Sequence, residues 1–324
     1  MKKNCVFIFL LVSTLLLCFS SGAPNALATG NEDVVKKLLI ISTGDPQGLY
    51  FYCGKRIEKI LNLTGKNSNA ICKSTNGALD NIKAVASANA DFGFSQYDML
   101  LRAVGGEPDG VNAKNLCLVT ILFPEVFTIV GNKGIKNVSD FYGKSISTHL
   151  PGSGIRLNSA QILKAAGLAG HVKLIDLNMR DTEKAFAEGK IDGFFSVIGM
   201  PASTITNSIS RVKDSSVIPI SEELRQKTVE IIKGFVPYEI PILTYSNNDS
   251  ISTIATFAVI FTQEGTSDEH VNDILKSIYS LPDFNAEGAS GKVRYVSQKN
   301  AKKFLEGVKG IKIHKAAKKF FDVK

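Results

Sequence analysis

An α/β fold of two discontinuous lobes, with a ligand cleft between them, is what three features of this sequence predict. Short apolar runs alternate with amphipathic helical segments, the pattern of a largely parallel sheet covered by helices. The alternation comes in two blocks. Two long apolar stretches, Leu116–Val130 and Ile251–Phe261, separate the blocks and read as extended crossings between lobes. The expected divisions are residues 29–130 for the first part of lobe 1, 131–248 for lobe 2 and 249–324 for the return to lobe 1.

The elements follow in order. Lys37-Leu38-Leu39-Ile40-Ile41-Ser42 is a largely apolar run ending at a Gly/Pro loop, as a buried parallel strand reads. Ile57, Ile60 and Leu61 then mark one face of a helix. Residues 70–74 form the next strand, Leu79, Ile82 and Val85 the next helix, and residues 91–95 a third strand. After the first crossing the pattern restarts: strand 144–148, helix 155–166, strand 172–177, helix 182–188 and strand 191–197. Beyond the second crossing, Ser267 caps a helix whose first turn carries Asp268 and Glu269, complementing its dipole. Val271, Ile274, Leu275 and Ile278 line its buried face, and two further helical segments end the chain. The segment 222–248 shows no clear period.

Composition narrows the function. The chain of 324 residues is 44% hydrophobic and 21% charged, which suits a globular protein with a large core and excludes whole-chain disorder. The formal net charge is +8, but acidic residues interleave with most of the lysines, so a solvated surface is expected and nucleic acid is not a partner. The N-terminus has a positive start (Lys2, Lys3), an apolar run from Cys5 to Phe19, and Ala26-Leu27-Ala28 before a cleavage point. These are the three parts of a secretory signal peptide over residues 1–28, and they place the mature chain in the periplasm. The apolar run is shorter than the ~20 residues a membrane span needs. Acylation at Cys18 is disfavoured by the bulky Leu17 before it. Three cysteines remain after cleavage, Cys53, Cys72 and Cys117, which allow at most one disulfide. No His/Cys/Asp/Glu group has metal-ligand spacing, and His149, His171, His270 and His314 are scattered, so neither metal nor cofactor is expected.

In open α/β sheets ligands bind beyond the carboxyl ends of the strands. Four loops lie there. The first, Thr43 to Tyr50, offers Gly44 and Gly48 for close backbone approach and the Tyr50 ring and hydroxyl. Its spacing to Gly54-Lys55-Arg56 does not fit a phosphate loop. The second, Ser74-Thr75-Asn76-Gly77-Ala78, opens a helix whose N–H groups attract anions; Ser74 and Thr75 could equally be caps. The third places Gln96 and Asp98 at the end of a strand, to read a polar ligand or to cap a helix. The fourth, Pro151-Gly152-Ser153-Gly154 followed by Arg156, mirrors the second in the other lobe, so that two helix N-termini could clamp a carboxylate. Ser153 lacks the spacing of a nucleophile elbow, so an enzyme is not expected.

At these loops the chain resembles the TAXI family, the solute-binding subunits of tripartite ATP-independent periplasmic (TRAP) transporters. The family's Gly-Thr-Tyr-Tyr reads Gly48-Leu49-Tyr50-Phe51 here, and its Ser-Thr-Gly-Gly-Ser reads Ser74-Thr75-Asn76-Gly77-Ala78 followed by Asp80-Asn81. Gln96-Tyr97-Asp98, Pro124-Glu125 and Pro151-Gly152-Ser153-Gly154 with Asn158 and Gln161-Ile162-Leu163 follow in order. So do Ala165-Ala166-Gly167-Leu168, Gly189-Lys190-Ile191-Asp192, Gly199-Met200-Pro201 and the tail Ile313-His314-Lys315-Ala316-Ala317. The resemblance covers nearly the whole mature chain. It implies a type II periplasmic-binding-protein fold and a monomeric receptor. Such a receptor would deliver a small organic anion or amino acid, of the glutamate, glutamine or 2-oxoglutarate kind, to membrane permease subunits. Met200 joins the expected site through it, standing where the family usually has Tyr. Leu49 for Thr, Ala78 for Ser and Met200 for Tyr each remove a hydrogen-bonding group, which points to a less polar or larger ligand. An exported enzyme or a surface antigen on the same two-lobed fold are the alternatives.

Overall fold

The structure, a computed structural model, describes residues 36–46, 48–107, 111–280, 293 and 295–324. The expected signal peptide and Cys18 lie outside the described residues. From the N-terminal side, β1 (Lys37–Ser42), α1 (Leu49–Thr64), β2 (Ser68–Lys73), α2 (Ala78–Ala86), β3 (Phe92–Gln96) and α3 (Tyr97–Val104) form the first βα block. β1 pairs in parallel with both β2 and β3. The α1 residues Ile57, Ile60 and Leu61 are all buried against this sheet. Each such side chain contributes about 1.5–3 kcal/mol through loss of contact with water.

β4 (Leu116–Gly131) is one continuous strand through the first crossing. The second block follows it: β5 (Ser145–Ser147), α4 (Gly154–Ala165), β6 (Lys173–Ile175), α5 (Met179–Ala187), β7 (Gly193–Ile198) and α6 (Ser203–Arg211). Here too the short strands are parallel, β5 lying between β6 and β7. The segment without a clear period in the sequence holds α7 (Glu222–Ile231) and β9 (Val236–Ile240), preceded by β8 (Ser216–Ile218). β10 (Ile251–Gln263) is the second crossing, and α8 (Asp268–Tyr279), α9 (Gln298–Glu306), β11 (Lys312–Ile313) and α10 (Lys315–Phe321) complete the chain. Ser267 caps α8 as its sequence demands, its side chain accepting from the His270 N–H.

The strand order is β2-β1-β3-β10-β4-β7-β5-β6, so the two long strands run antiparallel at the centre. The apolar residues sort into separate cores along them. On β4, Leu116 to Phe123 belong to the core built on the first block, whereas Val126 to Val130 belong to the cores of the second. On β10 the change falls between Ala255 and Ala258. Glu125 pairs with Thr256 and Pro124 with Phe257, so both strands change core at the same rung. Register shifts lie just beyond that rung, at Ala258/Val259 and Ile260/Phe261. This is a mixed α/β fold, as the sequence predicts. Cys53, Cys72 and Cys117 are all free.

Candidate functional site

A cavity of about 640 Å³ opens where the carboxyl ends of the parallel strands of both blocks converge. Its size is that of a site for a small organic molecule. Each wall comes from a strand-to-helix turn. Gly44, Asp45 and Gly48 follow β1, Asn76 and Gly77 follow β2, Gln96 ends β3, and His149, Ser153 and Gly154 follow β5. Val197, Ile198 and Gly199 end β7. Five helices contribute first-turn residues to it: α1 through Leu49 and Tyr50, α2 through Ala78, α4 through Gly154 and Ile155, α5 through Met179 and Arg180, and α6 through Ser203 and Thr204. Their free N–H groups and dipoles create a field that favours an anionic group.

Seven of the twelve residues expected from sequence line this cavity: Gly44, Gly48, Tyr50, Gly77, Gln96, Ser153 and Gly154. The other five do not, and their contacts explain why. The Ser74 hydroxyl donates to the Gly44 carbonyl at 2.9 Å. The Thr75 hydroxyl donates to Asn81 Oδ1 at 2.7 Å and accepts from the Gly77 N–H, so both side chains hold their own loop. Arg156 turns away to Thr148 Oγ1 at 2.7 Å and Asp176 Oδ1 at 3.2 Å. Met200 is buried in the core under α6, next to a cis peptide bond to Pro201, so its replacement of Tyr does not alter the cavity wall. Ser153 both lines the cavity and caps α4, its hydroxyl oxygen accepting from the Arg156 N–H at 3.2 Å.

Asp98 lies behind the wall. It is fully buried, and neither carboxylate oxygen has a hydrogen-bond partner. Burial lifts its carboxyl to about 6, although Asn158, Thr256 and Arg102 nearby favour its charge. Gln96 reaches across the cleft: its Nε2 donates to the Val197 carbonyl at 3.5 Å while Oε1 has no partner. The amide cannot be turned round, because a carbonyl only accepts.

Sequence reasoning left out of its site residues Glu125, which the structure places at the cavity wall on the rung where both long strands change core. The Tyr50 hydroxyl donates to Glu125 Oε2 at 2.6 Å. Burial pushes the Glu125 carboxyl well above the ordinary range, the Tyr50 bond opposes this, and the Asp98 charge adds to it. Burial and the same Glu125 charge raise the Tyr50 phenol. The one available signal was Pro124-Glu125 inside an apolar crossing, where a lone acid is out of place. Also left out was the face of α5 made by Met179, Arg180, Glu183 and Lys184. It follows the short loop after β6, but that loop, Asp176-Leu177-Asn178, has no glycine to mark it. His149 lines the cavity with Nδ1 unpartnered, and burial lowers its pKa.

Residues 41–322 match the family model described as NMT1-like family. The chain belongs to the NMT1-like family. This family corresponds to the TAXI-type substrate-binding proteins of TRAP transporters, the group its ordered motifs resemble. Family members are solute-binding proteins of transporter type and are typically not enzymes. Among solved structures, a protein from Bordetella bronchiseptica RB50 is similar, with a TM-score of 0.56 and 14% identity over 88% of this chain and 96% of that one. The alkanesulfonate-binding protein SsuA from Xanthomonas axonopodis pv. citri, bound to MOPS, gives 0.48 at 12% identity over 88% and 83%. The ligand-binding component of an ABC-type import system from Staphylococcus aureus, with zinc bound, gives 0.47 at 12% identity over 79% and 81%. No described helix is long and apolar enough to cross a membrane.

Proposed function

We propose that this NMT1-like protein is the extracytoplasmic receptor of a TRAP-type secondary transporter. It captures a small organic anion or amino acid, of the glutamate, glutamine or 2-oxoglutarate kind, as a monomer in the periplasm and delivers it to membrane permease subunits. The observation that carries this reading is the placement of the cavity. It lies at the strand ends of both blocks, the first turns of five helices line it, and its wall includes the rung at which both crossing strands change core. Closing the halves about that rung would enclose a solute and create a composite face for a membrane partner. Leu49 and Ala78, both on the wall, support a ligand with apolar surface beside its charged groups.

The test is a thermal-shift screen of the purified protein against carboxylates and amino acids, after native mass spectrometry has shown the sample to be ligand-free. A solute that binds only the folded state stabilises it by about 2.7 kcal/mol at a hundredfold excess over its dissociation constant, a clear rise in Tm. No rise with any compound of either class would overturn the receptor reading.

A further inference from the structure

The end of the second block farthest from the cavity carries a surface of its own. β5, β6 and β7 are parallel and point their carboxyl ends at the cavity, so their first residues lie at the opposite pole. Backbone bonds tie the loops of that pole together. The Gly143 N–H donates to the His171 carbonyl at 2.7 Å, and the Lys173 N–H to the Lys144 carbonyl at 2.8 Å. Tyr142 and His171 are thereby stacked, with ring centroids 4.7 Å apart and planes 21° from parallel. Tyr142 is 63% exposed and His171 is exposed as well, so the stack is held in the open.

Lysines surround it. Lys144 and Lys173 immediately follow the two rings in sequence, Lys164 lies in the last turn of α4, and Lys136 precedes the short helical turn Val138–Phe141. All four are exposed, and none forms an ion pair among the described residues. The acids of the pole are already engaged. Asp140 accepts from the Lys136 and Asn137 N–H groups at 2.8 and 2.9 Å, and Asp192 from the Ser145 N–H at 2.9 Å. Asp214 pairs with Lys133 and Glu188 with Lys190. At the rim, Glu223 and Lys227 share the wall of a separate cavity. The pole therefore presents uncompensated positive charge around an aromatic platform.

The residue types select the partner. Every unpaired cation of this set is a lysine. A guanidinium forks onto one carboxylate or phosphate, whereas an ammonium on a flexible stem is a point charge suited to a diffuse anionic layer. A tyrosine ring with its hydroxyl is amphipathic and settles at the boundary between headgroups and water.

We infer that this pole rests on an anionic phospholipid surface, with Lys136, Lys144, Lys164 and Lys173 against the headgroups and Tyr142 among them. The cavity, at the other end of the same strands, then stays open to solution. The inference goes beyond solute capture and is independent of which solute is captured.

The experiment is cosedimentation of the protein, in its exported form, with vesicles of phosphatidylcholine and with vesicles of an equal mixture of phosphatidylcholine and phosphatidylglycerol. It should bind the mixed vesicles and not the neutral ones, and less well as salt is added. A lysine near an anionic surface contributes about fivefold to binding, so Lys136→Gln/Lys144→Gln/Lys164→Gln/Lys173→Gln should weaken it by about a hundredfold or more. Lys303→Gln/Lys309→Gln/Lys318→Gln/Lys319→Gln removes the same charge from exposed positions in the other half and should retain most of the binding. Both variants alter only exposed side chains. The chain has no tryptophan, so Tyr142→Trp supplies a single reporter, whose emission should shift to the blue with mixed vesicles alone.

Absence of binding to the mixed vesicles overturns the inference and assigns the pole to an acidic protein surface. An equal loss in the two quadruple variants overturns it too, by reducing the attraction to net charge. So does a tryptophan whose emission does not move. None of these outcomes touches the solute-receptor reading, which the thermal-shift screen decides.

Discussion

Asp98 shows how one side chain can tie stability to pH. Its carboxyl is raised to about 6 in the folded chain, first by burial, against an ordinary value of 3.8. The folded state therefore holds this proton more tightly than the unfolded state does. Between about pH 4 and pH 6 the native chain binds the extra proton, so stability falls as pH rises through that window and is level above it. The difference corresponds to roughly 3 kcal/mol for a group this deeply buried. Asp98→Asn removes the charge, keeps the shape and can hydrogen-bond to Asn158. Urea unfolding at pH 4.5 and pH 7.5 should show the variant gaining roughly 1–3 kcal/mol over the parent at the higher pH, and little at the lower. Glu125 shifts in the same direction, so the variant keeps a slope of the same sign. An equal change at both pH values would mean that the buried Asp98 charge does not set the slope.

At the scale of elements, helix starts in the second half are shaped to receive side chains from the first. A Cβ on Gly154, the first residue of α4, would lie 1.5 Å from Gln96 Oε1 and 3.1 Å from Met99 Cγ. Gly199 after β7 leaves room for Leu49 in the same way, with its methyl carbon 2.9 Å away. Alanine suits the first turn of a helix, so Gly154→Ala should leave the melting temperature nearly unchanged. It should weaken solute capture about tenfold, because Gln96 must give up the Val197 carbonyl or the halves must stay apart. In a double-mutant cycle with Gln96→Ala the two changes should be strongly non-additive, and simple additivity would show that the contact does not control capture. These seats also show where sequence reading stops. β1, α1 and α8 were legible because burial imposes a period on their apolar residues. β4 and β10 were legible because strands buried along their whole length read as continuous apolar runs. Gly154 was legible as a loop glycine, but its partner Gln96 is a long-range contact that no local pattern encodes. α7 and β9 stayed unread because they lie at the surface, where Ile231 and Val236 are exposed and the apolar period is lost. Arg156 was misplaced as a cavity residue because a first-turn side chain can point to either side of its helix; here Thr148 and Asp176 take it.

For the molecule as a whole, the seam between the halves sets how the cleft responds to solute. In this structure the seam buries several polar groups that are left unpaired. Both Asp98 oxygens, the Asn158 amide and Gln96 Oε1 are buried there without hydrogen-bond partners. Gly234, at the end of the turn before β9, would bring a Cβ within 2.9 Å of the Asp98 Cα, so the backbones themselves are in close contact. Each orphaned polar group costs about 1–3 kcal/mol relative to an arrangement in which water reaches it. Opposing that cost are apolar contacts such as Leu49 on Gly199 and, when a solute is held, its bonds to both walls. The balance is therefore set by the solute: a ligand that binds both halves favours the closed arrangement, and without it the seam groups favour opening about the Glu125–Thr256 rung. Small-angle scattering should accordingly give a smaller radius of gyration in saturating solute than without it. Asp98→Asn, which relieves the seam, should shrink the solute-free particle toward the closed size. Gly154→Ala should hold it at the open size. Superimposable curves with and without a solute that calorimetry shows to be bound would mean that the halves are rigidly joined. The two crossing strands would then be a fixed frame, not a pivot.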